Sequence, residues 1–250
     1  EILRLAMLTL QHVKLPAYKL IINDTSILSN LLSQLELPKE SHGIILGSVN
    51  QLKKGADGLE RFKQAVGHIG LLGPTDTALF GTKKFDEKII SDLLEEQVKY
   101  TNGIIPGQRT SSEIIHRIAT KQNGVENPKL FDQAINLVYE IVNITGTAKS
   151  AYNKANEIIT SHGMNPLCLD YIMQLVSVLN QCDPSIKIHV DFGLGDSMGY
   201  YTGLIFDLRD EKLNLSLGSG GRYDSLASTL TGTSDSFGAC GFAYNVEHLI

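Results

Sequence analysis

The spacing of the hydrophobic residues changes along this chain, and that change constrains the fold more than any other feature. Before residue 180 most apolar side chains recur at helical spacing, most clearly in 129–142 and 166–180. Near Ile186 the spacing becomes every second residue, with Ile186, Ile188 and Val190 alternating with polar neighbours. Alternation of this kind is typical of antiparallel strands that bury one face. The chain is therefore predicted to be an α+β protein whose C-terminal third is an antiparallel sheet flanked by helices.

Further runs of both kinds complete the predicted elements. Alternation at 202–208 and 213–217 predicts two more strands, and the residues 210–212 between them are few enough for a hairpin turn. Near the start, residues 1–13 and 25–35 have helical spacing. A β-type run between them, Tyr18 to Ile22, predicts a strand.

The middle of the chain has a different character. Residues 31–160 show mostly helical patterns interrupted by glycines, including a helix predicted over 85–99 and a loop over 103–111. We therefore predict that residues 1–30 and 161–250 are two parts of one core, and that residues 31–160 are a helical insertion.

Composition excludes several classes of protein. Of the 250 residues, 42% are hydrophobic and 20% charged, which is typical of a globular protein. The net charge of −5 argues against a dedicated nucleic-acid binder. No apolar run has the length of a membrane span, and no secretory signal is visible, so a cytoplasmic location is expected. Because the chain begins at Glu1 and stops directly after a predicted helix start, a fragment or excised domain is expected.

Several apparent motifs do not carry chemistry. The glycines of 193–199 follow the spacing G-x-G-x-x-x-G and precede a strand, whereas a dinucleotide site needs G-x-G-x-x-G before a helix. His189 and Asp191 share one strand face but lack a third ligand, so a metal site is not predicted. Cys168, Cys182 and Cys240 are widely spaced and form no zinc pattern. No catalytic residue, metal or cofactor is predicted.

Three segments of the last third are more informative. They are Met-Gly-Tyr-Tyr-Thr-Gly-Leu-Ile-Phe at 198–206, Gly-Gly-Arg-Tyr-Asp-Ser-Leu at 220–226, and Gly-Phe-Ala-Tyr-Asn-Val-Glu-His-Leu at 241–249. Glycines in such places permit a ligand to approach the backbone closely, and a helix start after Asp224 would offer amides to an anion. Together and in this order the segments resemble the histidyl-tRNA synthetase-like family, which has a class II synthetase fold.

The resemblance implies where a ligand binds. The Tyr-Tyr-Thr-Gly segment is similar to the histidine-pocket motif of the family, which makes Tyr200 and Tyr201 candidate pocket residues. Arg222, in the Gly-Gly-Arg-Tyr-Asp segment, is the third candidate. For Arg222 an alternative is a structural role, paired with Asp224 or with a carboxylate at a strand end.

Two departures from the family pattern bear on catalysis. Synthetases of this family carry an arginine where this chain has Asp196, four residues before Tyr200, and a second arginine where this chain has His248. Adenylation brings a carboxylate against a triphosphate, so cations at these positions offset repulsion between two anions. An aspartate reverses the sign, and an imidazole lacks the planar fork of a guanidinium. Aminoacylation is therefore not expected.

The segment 191–203 resembles instead the regulatory subunits of ATP phosphoribosyltransferase, which are paralogues of the synthetase. The resemblance implies a role in the first step of histidine biosynthesis, without catalytic activity of its own. It also implies assembly with the short-form catalytic subunit, self-dimerisation, and histidine as an effector. Three alternatives stay open: an active or divergent histidyl-tRNA synthetase, a synthetase-like sensing module of a larger regulator that binds uncharged tRNA, and a pseudo-enzyme that binds only protein.

Overall fold

A computed structural model describes residues 1–13, 17–68, 71–72, 127–195, 201–226, 230 and 237–249. The chain forms two compact units. The first unit combines Glu1–Asn30 with Ile141–Ile250, and the second is Leu31–Glu140. No helix in these described ranges has both the length and the apolar character needed to cross a membrane.

The first unit contains a six-stranded sheet. Its strands are β1 (Tyr18–Asp24), β2 (Thr145–Thr147), β3 (Lys187–Asp191), β4 (Leu204–Asp210), β5 (Ser216–Arg222) and β6 (Cys240–Tyr244). The spatial order is β2-β3-β1-β4-β5-β6. All neighbouring pairs are antiparallel except β1 and β3, which are parallel. The predicted α+β class, with a sheet flanked by helices, is confirmed.

The strand pairing gives this sheet two different faces. Ile22 lies opposite Phe206, Phe206 opposite Gly220, and Gly220 opposite Phe242. The rings of Phe206 and Phe242 lie 6.5 Å apart, so this row forms an apolar face. Because side chains alternate along a strand, the neighbouring row lies on the opposite face. That row, on what we call the polar face, contains Thr147, His189, Ile21, Asp207, Ser219 and Ala243.

Helices of the first unit are largely those that the periodicity predicts. They are α1 (Ile2–His12), the start of α2 (Ser26–Ser33), the end of α6 (Pro128–Val142), α7 (Ala148–Ser161) and α8 (Asp170–Cys182). Short 3-10 helices at Pro166–Leu169 and Val246–His248 precede α8 and follow β6. Helix α1 buries Leu3, Ala6, Met7 and Leu10, the apolar positions of its helical spacing.

Helix α1 is joined to the sheet by a part-buried phenol, and this predicts a stability effect. The Tyr244 hydroxyl donates a hydrogen bond to the Ala6 carbonyl, 2.7 Å away. Tyr244→Phe removes only this bond and is expected to lower the free energy of unfolding by about 1 kcal/mol. Chemical denaturation measures the change. Tyr171→Phe removes the same atom from a side chain that is 49% exposed, and it is expected to have no measurable effect. Equal effects of the two substitutions would contradict this account.

The hairpin between β4 and β5 differs from the prediction. The turn lies where it was expected, but the second strand begins at Ser216 rather than at Leu213, and it extends to Arg222. The reason is local: the Asp210 carboxylate accepts hydrogen bonds from the backbone amides of Lys212 and Leu213, which holds them in the turn. Asn214, with φ of 56°, then redirects the chain.

The second unit is helical where the structure describes it. It contains the end of α2, then α3 (Lys39–Gly47), α4 (Val49–Leu52), α5 (Ala56–His68) and most of α6. Phe62 and Phe131 are fully buried, and an ion pair of 2.8 Å between Lys63 and Asp132 joins α5 to α6. The helix predicted over 85–99 and the loop over 103–111 lie outside the described residues. The limits of the insertion, 31–160, stay a prediction.

Candidate functional site

A pocket of about 490 Å³ lies on the polar face of the sheet, within the first unit. This volume suits a small organic ligand. The residues that line it come from the segment after β3, from β4, from β5 with the turn that follows it, and from β6. They are Leu194, Gly195, Tyr201, Ile205, Phe206, Asp207, Arg209, Ser216, Ser219, Tyr223, Leu226, Gly241, Phe242 and Ala243.

Two tyrosine rings form an aromatic wall of the pocket, and glycines make room for them. Gly221 and Gly241 are paired across β5 and β6. A Cβ atom on Gly221 would lie 2.7 Å from the ring of Tyr201, and one on Gly241 would collide with the Tyr223 hydroxyl. The centroids of the two rings are 6.1 Å apart. The tyrosines can therefore lie close to the strands only because both paired positions lack a side chain.

A pair of opposite charges lies in the same pocket. Arg209 Nε donates to Asp207 Oδ2 at 2.6 Å, and the Ser216 hydroxyl donates to Asp207 Oδ1 at 2.6 Å. The Asp207 side chain is 7% exposed and that of Arg209 is 31% exposed. A buried carboxylate is stable when it is paired and hydrogen-bonded in this way. The pocket thus presents a fixed anion and a partly exposed cation side by side.

The three residues predicted from the sequence have different positions. Tyr201 lines the pocket. Tyr200 lies outside the described residues, as does Asp196. Arg222 is not among the lining residues; it is exposed, and its Nε donates to Asp224 Oδ2 at 2.6 Å. The geometry matches the structural role considered for it, and its place in a ligand pocket stays a prediction.

Asp224 connects three parts of the chain around the site. Besides its bond from Arg222, its Oδ1 accepts from the backbone amide of Ala239, and its own amide donates to the Thr202 hydroxyl. The hydrogen bond from Arg222 lowers the pKa of the Asp224 carboxyl, which keeps it ionised. These contacts tie the residue after Tyr201 to the residue after Tyr223. The helix start predicted after Asp224 lies largely outside the described residues.

His189 and Asp191, the two residues considered above for a metal site, have local structural contacts. Asp191 Oδ1 accepts the backbone amide of Gly193 and so closes a local turn. Burial, together with the nearby Lys19 ammonium, lowers the pKa of His189. Among the described residues, no group of three His, Cys, Asp or Glu side chains is arranged to hold a metal ion. The three cysteines are free thiols.

Sequence reasoning missed several polar or aromatic lining residues, among them Asp207, Arg209, Ser216, Ser219 and Tyr223. The alternation of β4 places Asp207 and Arg209 on one face of the sheet. The sequence does not indicate which of the two faces holds the pocket. Tyr223 belongs to the Gly-Gly-Arg-Tyr-Asp segment, yet only the pairing of Gly221 with Gly241 brings it to Tyr201. Ser219 had no separate signal.

His248, where the synthetases have an arginine, also lies beside β5. Its Nδ1 is 2.6 Å from the Ser216 carbonyl oxygen, and the side chain is exposed. With Nδ1 protonated, the ring donates to that carbonyl, so it is directed at the backbone of β5. His248 is not among the residues that line the pocket.

The chain is similar in sequence to histidyl-tRNA synthetases and to proteins named ATP phosphoribosyltransferase regulatory subunit. A family model described as histidyl-tRNA synthetase matches residues 108–249, more than half of the chain. A histidine–tRNA ligase of Sulfurisphaera tokodaii is 33% identical over 114 residues, which are 44% of this chain and 26% of that protein. A protein of Geobacillus thermodenitrificans named ATP phosphoribosyltransferase regulatory subunit is 25% identical over 193 residues, or 77% of this chain and 43% of that protein.

One solved structure is similar along nearly the whole chain. The histidyl-tRNA synthetase of Nostoc sp. PCC 7120 aligns with 98% of this chain and 44% of its own, at 16% identity and a TM-score of 0.49. The chain thus spans less than half the length of each of these three relatives.

Proposed function

The chain belongs to the histidyl-tRNA synthetase family, and from that membership we propose that it binds free histidine without charging tRNA. In this proposal it is a regulatory subunit of ATP phosphoribosyltransferase, acting in the cytoplasm in the first step of histidine biosynthesis. It activates the short-form catalytic subunit and transmits feedback by histidine.

The observation that carries the proposal is His248. The family's third motif places an arginine at this position to hold ATP, and here an imidazole is directed at the Ser216 carbonyl instead. An imidazole in that orientation lacks the planar guanidinium fork with which the family holds ATP. Asp196 adds a negative charge where the family has a second arginine.

The pocket is suited to a free amino acid with a flat side chain. The rings of Tyr201 and Tyr223 offer aromatic surfaces to an imidazole. Arg209 offers a cation to the α-carboxylate, and Asp207 an anion to the α-ammonium group. A site that binds the amino acid but has lost the means to hold ATP would be a sensor. Tyr200, a pocket residue by the family resemblance, stays part of the proposed site.

Partner and regulation follow from the same proposal. Two relatives that carry the regulatory-subunit name, both from Geobacillus, are each 25% identical to this chain over 77% of its length. Histidine that binds one assembly state more tightly shifts the complex by that difference in affinity and no more. We propose a complex of this protein, itself dimeric, with the short-form catalytic subunit.

Assembly is tested by sedimentation velocity. The full chain and the short-form catalytic subunit from the same organism are mixed at micromolar concentration and compared with each protein alone. A faster-sedimenting species that contains both is expected. Two independent boundaries at every ratio, with and without histidine, would refute the proposed partnership.

A second function, histidine–tRNA ligase, is favoured by the 33% identity to the ligase from Sulfurisphaera tokodaii. It predicts that the chain charges tRNA with histidine, which a filter assay with labelled histidine measures. Our proposal predicts no charging. Any charging above a no-enzyme control would decide for the ligase.

A further inference from the structure

Two side chains, Asn23 in β1 and Thr25 directly after it, hold both ends of the segment that leads from β3 to β4. This segment contributes to the pocket at both ends, through Leu194 and Gly195 on one side and Tyr201 on the other. We infer that Asn23 and Thr25, which together form a β1 clamp, are positioning residues for the pocket. The inference depends on the proposed function only for the identity of the ligand.

Asn23 holds the first end. Its Nδ2 atom donates to the carbonyl oxygens of Phe192 at 3.2 Å and Leu194 at 2.8 Å. The parallel pairing of β1 with β3 ends one residue earlier, at Ile22 and Val190. Beyond this pair no further backbone pairing connects β1 with the described residues that follow β3. The side-chain amide continues the connection where the backbone stops, and it does so beside the residues that line the pocket.

The chemistry of Asn23 is specific for this task. The side chain is 4% exposed, and its two N–H groups serve two carbonyls at once. The reverse orientation would direct Oδ1 at those two acceptors, so the partners fix the orientation of the amide. Its Oδ1 is buried and accepts no hydrogen bond from any part of the chain that the structure describes. A buried acceptor without a hydrogen bond costs free energy. Because asparagine is present despite this cost, we attribute its presence to the two hydrogen bonds that its N–H groups donate.

Thr25 holds the other end. Its backbone amide donates to the Gly203 carbonyl at 3.0 Å, and its hydroxyl donates to the same oxygen at 3.2 Å. The backbone bond extends the antiparallel pairing of β1 with β4, whose last pair is Asp24 with Leu204. Gly203 is two residues from Tyr201. The hydroxyl therefore adds a second bond next to the aromatic wall.

Both ends of the segment between β3 and β4 are thus hydrogen-bonded at the same place, the last residues of β1 and Thr25 after it. β1 is an inner strand, paired on one side with β3 and on the other with β4. The local turn at Asp191 shapes the first end but does not connect it to the second. The β1 clamp instead relates Leu194 to Gly203 through a single strand. Small errors in the placement of binding groups lower affinity strongly, so a substitution in the clamp acts on binding without touching the ligand.

Asn23→Asp tests the inference, because it keeps the shape of the side chain and replaces an amide that donates to two carbonyls by a carboxyl group with at most one donor. Two backbone amides report on the clamp independently of any ligand: Leu194, which donates to Asp191, and Thr202, which donates to Arg222. In the full chain we expect their hydrogen exchange to become about tenfold faster, and the Kd for L-histidine, measured by calorimetry, to rise at least about tenfold. Thr25→Val, a milder change, is expected to raise the Kd roughly two- to fivefold.

Tyr18→Phe is the matched control. It lies on the same strand, and it removes a hydrogen bond to Met7 at the opposite end. It is expected to leave both exchange rates and the Kd unchanged. If the two clamp variants behave like Tyr18→Phe, or if exchange accelerates equally throughout the sheet, the inference is wrong.

The two proposals fail in different ways. If exchange at Leu194 and Thr202 accelerates in the clamp variants while the unaltered chain does not bind histidine, the β1 clamp stands and the proposed ligand is wrong. If histidine binds the unaltered chain and the clamp variants alike, the ligand stands and the clamp is wrong.

Discussion

Gly221→Ala is expected to abolish histidine binding. The new Cβ atom would lie 2.6 Å from the Leu204 carbonyl oxygen and 2.7 Å from a ring carbon of Tyr201. The carbonyl belongs to a paired strand and cannot yield, so the strand separates or the ring moves away from the pocket. We expect the Kd for histidine, measured by calorimetry, to rise by about 100-fold or more, and stability to fall by about 2 kcal/mol.

The control for this substitution is Gly43→Ala. Gly43 lies in helix α3, and a Cβ atom there meets nothing within 4 Å. Alanine is a better helix former than glycine, so this variant is expected to gain about 0.5–1 kcal/mol without changing the Kd. An unchanged Kd in Gly221→Ala would contradict the placement of Tyr201 in the site.

Arg209→Met is expected to have the second largest effect, on stability and binding together. The substitution removes the cation that is paired with the Asp207 carboxylate, a side chain that is only 7% exposed. The carboxylate then keeps the hydrogen bond that Ser216 donates to it. Breaking a fully buried pair costs about 3–5 kcal/mol; since Arg209 is 31% exposed, we expect about 2 kcal/mol, measured by chemical denaturation. Histidine binding is expected to be lost, because the cation for its carboxylate is gone.

The double variant Asp207→Asn with Arg209→Met separates these two effects. Asparagine carries no charge and still accepts a hydrogen bond from Ser216, so most of the lost stability is expected to return. Histidine binding is expected to stay absent, because neither charge is present. Recovery of binding together with stability would show that the pair serves only the fold.

Much of the fold could be predicted from local patterns. The change of hydrophobic spacing predicted β3, β4 and the turn after β4, and the helical spacing of 129–142 predicted α6. Family membership agrees with the predicted class II synthetase-like fold. The parallel pairing of β1 with β3 could not be predicted, since it joins residues such as Ile22 and Val190 that no local pattern relates.

The candidate site was predictable only in part. Tyr201 belongs to a recognisable segment, whereas the bonds of Asn23 join residues 169 and 171 positions apart. An asparagine at a strand end is an ordinary helix-capping candidate, and nothing local distinguishes it from a positioning residue. Arg222 shows the converse: a residue within a recognisable segment forms an exposed pair with Asp224.

We propose that this synthetase-like protein activates the short-form catalytic subunit of ATP phosphoribosyltransferase and binds histidine as a feedback signal. The most direct measurement follows product formation from ATP and phosphoribosyl pyrophosphate by the short-form catalytic subunit, with and without this protein at full length. We predict that activity appears only in the mixture and that added histidine suppresses it, less so with Gly221→Ala. A mixture no more active than the catalytic subunit alone would contradict the account.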